Sequence, residues 1–477
     1  MQVEAFGRPC WLTPLEHRTP MIAIVLAAGR GRKCWPYNEV RNKCAFPIGN
    51  VPLVRRLAEQ FLAAGVTGVV VVLGERAPSV RAALAGLEER VRFVTQPRPE
   101  GTADAVLYGL EGNEHEPFLV AHGDVITTDE TVSAIVQAAH RAEAPAVAVV
   151  QELGALRPGD WITIRATEDV LTDFEGHGRE GTHRVGGLYA FQPAAVPFLR
   201  ANPGVMTHVP VGGMPPLESE IAESLARMAE HGLPVQALPA KGFLVDVDKP
   251  WHLLEATTAL LHDRSARLSS SSIADGARVA ESAEIHGRVV LEPGAVIGER
   301  VVVHGDLWLA PNASVTNGTI VGARCLVGSG ARVRDYALIG EDTVLGPDAI
   351  CGHGAEFEGV LLDGAYLYHY CEIYGVLGSR VDIGAATVCG TLRFDDGPAT
   401  HTTLGRREQP TAGANASYLG DYSRSGVNAI LMPGVKVGAY SCVGPGVVLS
   451  EDLPSRELVL VKQELIRKPW GPERYGW

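Results

Sequence analysis

The chain has 477 residues, of which 46% are hydrophobic and 20% are charged, and this composition indicates a globular protein of two or three domains. Its net charge of −13 argues against a protein that binds nucleic acid by neutralising phosphates, so any anionic ligand needs a local cluster of cations or a metal. The eight cysteines form no C-x-x-C pair, and no apolar run reaches membrane-spanning length. We therefore expect a cytoplasmic protein with no membrane partner.

Alternating strands and helices predict a first domain over residues 21–260, after an extension at residues 1–20. The order strand, helix, strand, helix favours a parallel, doubly wound α/β sheet. The predicted strands are Ile22–Leu26, Val69–Leu73, Val91–Val94, Pro117–Ala121, Ala146–Val150 and Gly187–Phe191, and the predicted helices are Leu53–Ala64, Ser79–Leu87, Thr102–Leu110 and Leu217–His231.

A six-residue repeat begins after a predicted linker at residues 261–272. Every sixth residue from Ile273 to Leu345 is aliphatic, and small residues or glycines recur at fixed offsets around it. Alternation at period two, as in β-hairpins, would not keep this register, whereas a parallel β-solenoid with three six-residue faces per coil would. We predict a solenoid over residues 273–450, with a phase reset near residues 360–376, and a tail at residues 451–477.

A glycine-rich run, Leu26-Ala27-Ala28-Gly29-Arg30-Gly31-Arg32-Lys33, follows the first predicted strand. Such glycines let backbone N–H groups approach an anion, and the neighbouring cations neutralise phosphate charge. A second run, Asn42-Lys43-Cys44-Ala45-Phe46-Pro47-Ile48-Gly49, follows it. Together these runs resemble the signature of sugar-1-phosphate nucleotidylyltransferases, L-A-A-G-x-G-T-R-x-x-P and P-K-x-L-x-P-I-x-G-x-P.

Further segments resemble this family in order and spacing, namely Gln96–Ala105, Gly123-Asp124, Gly187–Phe191 and Val245–Pro250. The resemblance implies that Asp124 and Asp246 hold Mg²⁺, that Lys33 faces the leaving pyrophosphate and that Lys43 faces the attacked phosphate. It also implies nucleotide-binding and sugar-binding positions. The nucleotide-binding positions are Leu26, Ala28, Gly29, Gly31, Gln96, Gly101 and Thr102, and the sugar-binding positions are Gly187 and Glu218.

The implied reaction transfers a nucleotidyl group from UTP or dTTP to a sugar 1-phosphate and releases pyrophosphate. Two polyanions must meet, so the barrier is mostly electrostatic and positional, and cations with a bound metal lower it. Three departures from the family pattern bear on sugar specificity and rate. Arg32-Lys33 replaces Thr-Arg, Glu223 replaces the usual aspartate, and Val185-Gly186 stands where the family has an asparagine.

The second half resembles two-domain enzymes that join a uridylyltransferase to a hexapeptide-repeat acetyltransferase, especially the archaeal type that makes UDP-N-acetylglucosamine. Ile383–Thr387 and Leu419–Gly438 carry this resemblance. It implies a left-handed helix, a homotrimer, His369 as the acetyl-transfer base, and acetyl-CoA contacts at Ala385 and Ala429. An imidazole that is neutral near pH 7 suits this base role.

The second activity is left open, because the segment after His369 lacks the family's G-D pair and Thr391 replaces its asparagine. His369 is otherwise a loop histidine packed against neighbouring tyrosines. Two alternatives follow. In the first, the solenoid serves only for trimerisation beside an active nucleotidylyltransferase, and in the second, the chain is a non-catalytic subunit that binds sugar nucleotides.

Overall fold

The computed structural model describes residues 20–154, 161–167, 169–175, 181–206 and 217–474. The chain divides into two compact units. The first, here called the sheet unit, contains the chain up to Arg30 and Leu53–Asp246, and the second, the solenoid unit, contains Gly31–Pro52 and the chain from Val247 onward. The predicted extension at residues 1–20 lies outside the described residues except for Pro20, as does the end of the predicted tail, 475–477.

Every predicted helix and strand of the sheet unit overlaps an observed one, and the described residues of this unit contain two further helices and five further strands that were not predicted. The strands are β1 (Ile22–Ala27), β4 (Gly68–Leu73), β5 (Val91–Thr95), β6 (Phe118–His122), β7 (Val125–Thr127), β8 (Ala146–Glu152), β9 (Thr163–Thr167), β10 (Val170–Glu175), β11 (His183–Phe191), β12 (Val235–Pro239) and β13 (Leu244–Asp246). The helices are α1 (Leu53–Ala63), α2 (Ala77–Ala83), α3 (Thr102–Leu110), α4 (Asp129–Arg141), α5 (Val196–Arg200) and α6 (Ile221–Glu230).

Nine of these strands form one sheet in the order β5-β4-β1-β6-β11-β8-β12-β10-β9. The apolar strand β1 lies between β4 and β6 and is parallel to both, as its continuous burial predicts. The parallel pairing of β4 with β5 completes the parallel part of the sheet and confirms the predicted doubly wound order, whereas β11, in the second half of the domain, runs antiparallel to β6 and β8. The separate pair of β7 and β13 is also antiparallel.

The solenoid unit confirms the hexad prediction. Ser272 pairs with Val290, Arg278 with Val296 and Glu284 with Val302, so each strand pairs in parallel with the strand eighteen residues later. The repeating aliphatic residues fill the interior, where Ile297, Val315 and Val333 are fully buried. Three faces of six residues, each carrying one short strand, therefore complete one coil.

The strands of the solenoid unit are short. They are β2 (Pro47–Ile48), β3 (Val51–Pro52), β14 (Ser272–Ile273), β15 (Arg278–Val279), β16 (Glu284–Ile285), β17 (Val289–Leu291), β18 (Val296–Ile297), β19 (Val302–Val303), β20 (Leu307–Leu309), β21 (Ser314–Val315), β22 (Ile320–Val321), β23 (Cys325–Val327), β24 (Arg332–Arg334), β25 (Leu338–Ile339), β26 (Val344–Leu345), β27 (Ile350–Gly352), β28 (Glu356–Leu361), β29 (Tyr366–Tyr368), β30 (Glu372–Leu377), β31 (Asp382–Ile383), β32 (Val388–Cys389), β33 (His401–Thr403), β34 (Arg406–Glu408), β35 (Ser417–Leu419), β36 (Arg424–Ser425), β37 (Ile430–Leu431), β38 (Lys436–Val437), β39 (Cys442–Val443), β40 (Val448–Leu449) and β41 (Leu458–Val459).

The pairing distance departs from eighteen residues in several places, and the first departure explains the phase reset predicted near residues 360–376. Ile350 pairs with Tyr366 and Tyr366 pairs with Asp382, so two successive coils are each two residues shorter than the regular eighteen. Gly375 then pairs with Ser417, because a long insertion leaves the coil after β32 and contains the hairpin of β33 and β34. The pairing of β39 with β41 extends the solenoid beyond its predicted end at residue 450.

The predicted linker at residues 261–272 is largely helical, because α7 (His252–Arg267) runs into it. In α7, Leu261 is buried against Trp308, Leu326 and Val344 of the solenoid, and this apolar contact explains why the helix belongs to the solenoid unit. No helix in the described ranges is both long and apolar enough to cross a membrane.

Gly375 allows the closest approach of two coils. Its φ is +151°, and a Cβ atom there would collide with the backbone carbonyl oxygen of Ser417. We expect Gly375→Ala to lower the apparent melting temperature by several degrees, because both the backbone conformation and the coil spacing oppose a side chain. Differential scanning calorimetry checks this against Gly397→Ala, whose added atom would make only van der Waals contact with Asp395. Equal melting temperatures would contradict the argument.

Candidate active sites

Two predicted metal ligands are carried by paired strands of the sheet unit. Asp124 follows β6 in the turn that leads to β7, and Asp246 ends β13. In the antiparallel pair of β7 and β13, Asp246 lies opposite Val125, the residue after Asp124. The strand pairing therefore brings the backbones of two aspartates that are about 120 positions apart in the chain close to each other.

The donor set at these strands suits Mg²⁺. Within the described ranges, no group of three or more His, Cys, Asp or Glu side chains is arranged to hold a metal. Mg²⁺ is commonly bound by only one or two carboxylates, with substrate phosphates and waters completing its octahedron. Asp124 and Asp246 therefore fit a magnesium ion that is held jointly with a polyphosphate substrate.

Gly187 lies beside this pair, in the part of β11 that faces β6. Its φ is +72°, and a Cβ atom there would lie 3.1 Å from Nδ1 of His122 and 3.0 Å from a methyl of Val125. Burial, and then the charges of Glu220 and Asp246, raise the pKa of the nearby Tyr189. The predicted sugar-side residue Gly187 is thus next to the strand β7, which follows the predicted metal ligand Asp124.

The segment predicted to read the base is held by the loop before α6. A Cβ atom at Gly101 would collide with the backbone N–H of Ser219, which donates to the carbonyl oxygen of Glu100 at 2.7 Å. The side-chain amide of Gln96 donates to the carbonyl of Gly101 at 3.2 Å and to Asp104 at 2.6 Å. Gln96 therefore supports the backbone at Gly101.

The hydrogen bond between Ser219 and Glu100 also places the predicted sugar-binding residue Glu218 next to the base segment, because Glu218 adjoins Ser219. The side chain of Glu218 is exposed. The hydroxyl of Thr102 donates to Glu220 at 2.7 Å and accepts from the backbone N–H of Ile221 at 2.9 Å. Thr102 thus positions the start of α6. Its predicted contact with the nucleotide stays a prediction.

The two predicted phosphate-binding lysines lie in the solenoid unit, on a segment of three short 3-10 turns, Arg32–Cys34, Tyr37–Glu39 and Lys43–Ala45. One carboxylate bridges them. The Lys33 ammonium is 2.9 Å from one oxygen of Asp248, and the Lys43 ammonium is 3.3 Å from the other. Burial alone would raise the pKa of Asp248, but the charges of Lys43 and Lys33 hold it well below its usual range. Asp248 is thus an internal anion between two cations.

The glycine-rich run is split between the units. Leu26 and Ala28 are nearly buried at the end of β1, and Gly29 is exposed. Gly31 has a φ of +59°, and a Cβ atom there would lie 3.2 Å from the side chain of Lys43. A glycine at this position therefore leaves room for Lys43 to reach Asp248.

A second cluster surrounds His369 at one corner of the solenoid. The rings of His353 and His369 share a hydrogen bond, with Nδ1 to Nδ1 at 2.6 Å, and Nε2 of His353 is 3.3 Å from the hydroxyl of Tyr370. His369 also meets Tyr368 edge to face, with centroids 4.6 Å apart. His369 thus packs against a neighbouring tyrosine, as the structural interpretation predicts. Its imidazole is also exposed, and its Nδ1 is hydrogen-bonded to His353.

The corner geometry explains this cluster. Asn317, Asp335, His353 and His369 occupy the same corner of successive coils, and all have φ between +53° and +61°. Asn317 donates to Asp335 at 2.7 Å, as does the hydroxyl of Tyr368. Each hydrogen bond lowers the pKa of Asp335, and the bond from Tyr368 raises the pKa of that hydroxyl. The stacked coils therefore line up polar side chains in one column.

The predicted acetyl-CoA contacts lie on neighbouring coils of the solenoid. Ala385 is partly exposed beside the corner at Ala386, whose backbone N–H donates to the carbonyl of His369 at 2.8 Å. The methyl of Ala429 is fully buried in the coil interior, so this residue presents only its backbone to a ligand. Both contacts stay predictions.

Sequence reasoning missed three residues. Asp248, two positions after the predicted metal ligand, had a signal in the acidic pair Asp246-Val247-Asp248. His353, sixteen residues before His369, had none, because only the shortened coil brings the two rings together. His122 precedes the Gly-Asp pair, and its ring packs against Tyr189 with centroids 5.7 Å apart.

Comparison with known proteins decides the family. The MobA-like NTP transferase domain family matches residues 23–267, slightly more than half of the chain. The chain belongs to this family. The match runs from β1, through both predicted metal ligands and both lysines, to the end of α7. The NTP transferase region thus contains Gly31–Pro52 and α7, which are parts of the solenoid unit.

Curated relatives of this NTP transferase family member extend over almost the whole chain. "Bifunctional protein GlmU" of Methanococcus vannielii is 27% identical over 94% of this chain and 99% of its own. "Bifunctional sugar-1-phosphate nucleotidylyltransferase/acetyltransferase" of Sulfurisphaera tokodaii is 23% identical over 91% of this chain and 98% of its own. Among solved structures, a UDP-glucose pyrophosphorylase complexed with UDP-glucose covers 52% of this chain and all of its own, at 20% identity and a TM-score of 0.44.

Replacing Asp248 tests its role between the lysines. We expect Asp248→Asn to bind inorganic pyrophosphate about fivefold more tightly, because one unit charge at about 4 Å in water contributes about 1 kcal/mol. The effect is expected to be the same at pH 6 and pH 8, since the lowered pKa of Asp248 keeps it ionised at both values. Isothermal titration calorimetry measures this, with Asp263→Asn in α7 as the control. Weaker pyrophosphate binding by Asp248→Asn would mean that Asp248 positions the two lysines rather than competing with phosphate for them.

Proposed function

We propose that this chain transfers a nucleotidyl group from a nucleoside triphosphate to a sugar 1-phosphate, and thereby forms an NDP-sugar and pyrophosphate. The observation that carries the proposal is the pairing of β7 with β13, which sets Asp246 opposite the neighbour of Asp124. A pair of carboxylates next to a bound sugar nucleotide is what a magnesium-dependent phosphoryl transfer needs. The name of the Sulfurisphaera tokodaii relative, a sugar-1-phosphate nucleotidylyltransferase/acetyltransferase that matches 91% of this chain, agrees with this reaction.

In this proposal, the protein acts by binding and orientation rather than by covalent catalysis. Asp124 and Asp246 would hold Mg²⁺, which neutralises charge on the polyphosphate. Lys33 and Lys43 exchange their internal partner Asp248 for phosphate oxygens, Lys33 on the leaving pyrophosphate and Lys43 on the phosphate under attack. The sugar phosphate oxygen attacks the α-phosphorus, and pyrophosphate leaves.

UTP and dTTP are the proposed nucleotides. A pyrimidine is small enough to be read by backbone groups at one edge, and the backbone at Gly101 is fixed from two sides, by Ser219 and by Gln96. Fixed donors and acceptors discriminate better than mobile ones, because an unsuitable base leaves them unpaired. On the sugar side, we propose Glu218 for a sugar hydroxyl and Gly187 for close approach of the sugar ring.

We also propose acetyl transfer from acetyl-CoA to an amino-sugar phosphate in the solenoid. The support is the imidazole pair. If Nδ1–H of His369 donates to Nδ1 of His353, then Nε2 of His369 keeps its lone pair and accepts the proton that the attacking amine loses. Nε2–H of His353 would then donate to the hydroxyl of Tyr370. The thioester bond breaks and coenzyme A leaves as the thiol.

Two alternatives keep specific support. The exposed apolar residues Ile320 and Leu338 stack in one column of the solenoid, as do Ile430 and Val448, and such a face suits association of three copies with or without acetyl transfer. The engagement of both Lys33 and Lys43 by Asp248, which offsets one of their two charges, suits a non-catalytic subunit that binds sugar nucleotides. Turnover assays separate both alternatives from the bifunctional enzyme.

The first assay measures pyrophosphate release with Mg²⁺ from a panel of nucleoside triphosphates and sugar 1-phosphates. We expect turnover with UTP or dTTP, and a loss of at least about 100-fold in Asp124→Asn, because a metal carboxylate is removed. Asp129→Asn is the matched control, since Asp129 is exposed at the start of α4. Absence of turnover with every pair would favour the non-catalytic subunit.

The second assay measures thiol release from acetyl-CoA with glucosamine 1-phosphate. We expect His369→Gln to lower this rate about 100-fold or more, because the general base is lost, while pyrophosphate release stays unchanged. His353→Gln is expected to cause a smaller loss. His304→Gln is the control, because His304 belongs to a stacked histidine pair elsewhere on the solenoid. A wild-type protein without thiol release would leave the solenoid as an assembly module.

A further inference from the structure

The segment Gly31–Pro52 carries both predicted phosphate-binding lysines, yet it belongs to the solenoid unit. Its regular structure consists of 3-10 turns of three residues and the two-residue strands β2 and β3. Elements this short do not hold their own conformation in water, so contacts with other parts of the unit must fix the segment.

Two hydrogen bonds tie the segment to backbone carbonyls of the coils. The hydroxyl of Tyr37 donates to the carbonyl of Val376 at 2.7 Å, and the side-chain amide of Asn50 donates to the carbonyl of Leu345 at 2.9 Å. Tyr37 is 1% exposed and meets Phe46 of the same segment edge to face. The segment thus packs against the coils through a buried interface rather than through surface contacts alone.

A buried ion pair also connects the segment to the coils. Arg41 pairs with Asp421, whose side chain is fully buried, and donates to the hydroxyl of Ser379 at 2.8 Å. The backbone N–H of Ser379 donates to Asp421 at 2.8 Å, and its hydroxyl donates to Asp363. Three successive coils thus supply partners around one guanidinium. A network of this kind holds its members in one arrangement, because each charge would be left buried without its partner.

The carboxylate between the lysines is anchored to the same solenoid from the other side. Asp248 precedes α7, which packs on the coils through Leu261. The next residue, Lys249, is nearly buried and pairs with Glu408 in the hairpin of the solenoid insertion. Both chain segments that define the Lys33–Asp248–Lys43 cluster are therefore fixed by coils and by the insertion.

We propose that the solenoid positions the phosphate-binding lysines, with Arg41 and Asp421 as positioning residues for nucleotidyl transfer. The inference rests on the proposed function. In this proposal the solenoid contributes to nucleotidyl transfer, in addition to assembly or acetyl transfer. Because misplacement of a binding group by about 1 Å can cost a factor of about 100, loss of the anchor should weaken the hold on phosphate as well as lower the rate.

Arg41→Met in the full chain tests this proposal. We expect the KM for the nucleoside triphosphate and the Kd for inorganic pyrophosphate to rise about tenfold, and kcat to fall. Arg41→Lys should restore part of the loss, because it keeps the charge but not the forked donor. In the double variant Arg41→Met/Asp421→Asn, the effects should be less than additive, since both single changes break one contact. Arg324→Met, which removes a guanidinium paired with Asp342 and Glu341 elsewhere on the solenoid, is the matched control.

Binding constants separate positioning from a merely structural role. Partial unfolding lowers kcat and the melting temperature but leaves the KM and the Kd of the folded fraction unchanged. If Arg41→Met does not fold, Tyr37→Phe removes only the hydrogen bond to Val376 and is expected to raise both constants severalfold. Wild-type KM and Kd in a folded Arg41→Met variant would overturn the proposal.

Failure of the proposed function looks different. A wild-type protein that releases no pyrophosphate with any substrate pair would overturn nucleotidyl transfer, whereas calorimetry with pyrophosphate on the same variants would still test the anchor. A Kd that rises in Arg41→Met but not in Arg324→Met supports the anchor, and equal Kd values in all three proteins overturn it.

Discussion

Backbone hydrogen bonds between successive coils impose one register on the second half of the chain, and most functional positions there depend on it. Because each strand pairs with the strand eighteen residues later, equivalent corners stack directly above one another. Side chains with left-handed φ, among them His353 and His369, thereby form a column. Where a coil is two residues short or an insertion leaves the stack, the register brings new groups together, such as the imidazole pair at the short coil.

The acidic net charge of the chain contrasts with the cations at its candidate sites. Lys33 and Lys43 share Asp248, Arg41 reaches Asp421, and Lys249 reaches Glu408, so each cation has an internal carboxylate partner. Such pairs keep positive charges close together without mutual repulsion, and a polyanionic substrate can replace the internal partner where the site is partly open. The ion pair of Arg41 and Asp421 is buried, so we expect it to position the segment that carries the lysines rather than to bind substrate.

Sequence patterns predicted the elements that have a clear local periodicity. The helix Thr102–Leu110 has the predicted bounds, and the hexad positions fill the solenoid interior. The strand pairing also sets Asp246 opposite Val125, the neighbour of Asp124, although Asp124 and Asp246 are about 120 residues apart. The direction of β11 was not predictable, because an apolar strand buried on both faces reads the same in a parallel and in an antiparallel pair.

The sequence by itself determined the two folds and the positions of their tight turns, because periodicity and local backbone geometry act within a few positions of the chain. Only the tertiary structure decided which unit holds Gly31–Pro52, which carboxylate lies between Lys33 and Lys43, and which ring meets His369. Arg41 and Asp421 are 380 residues apart, and their contact depends on the length of every coil between them. No local sequence pattern predicts such a contact, because it depends on the combined length of many coils.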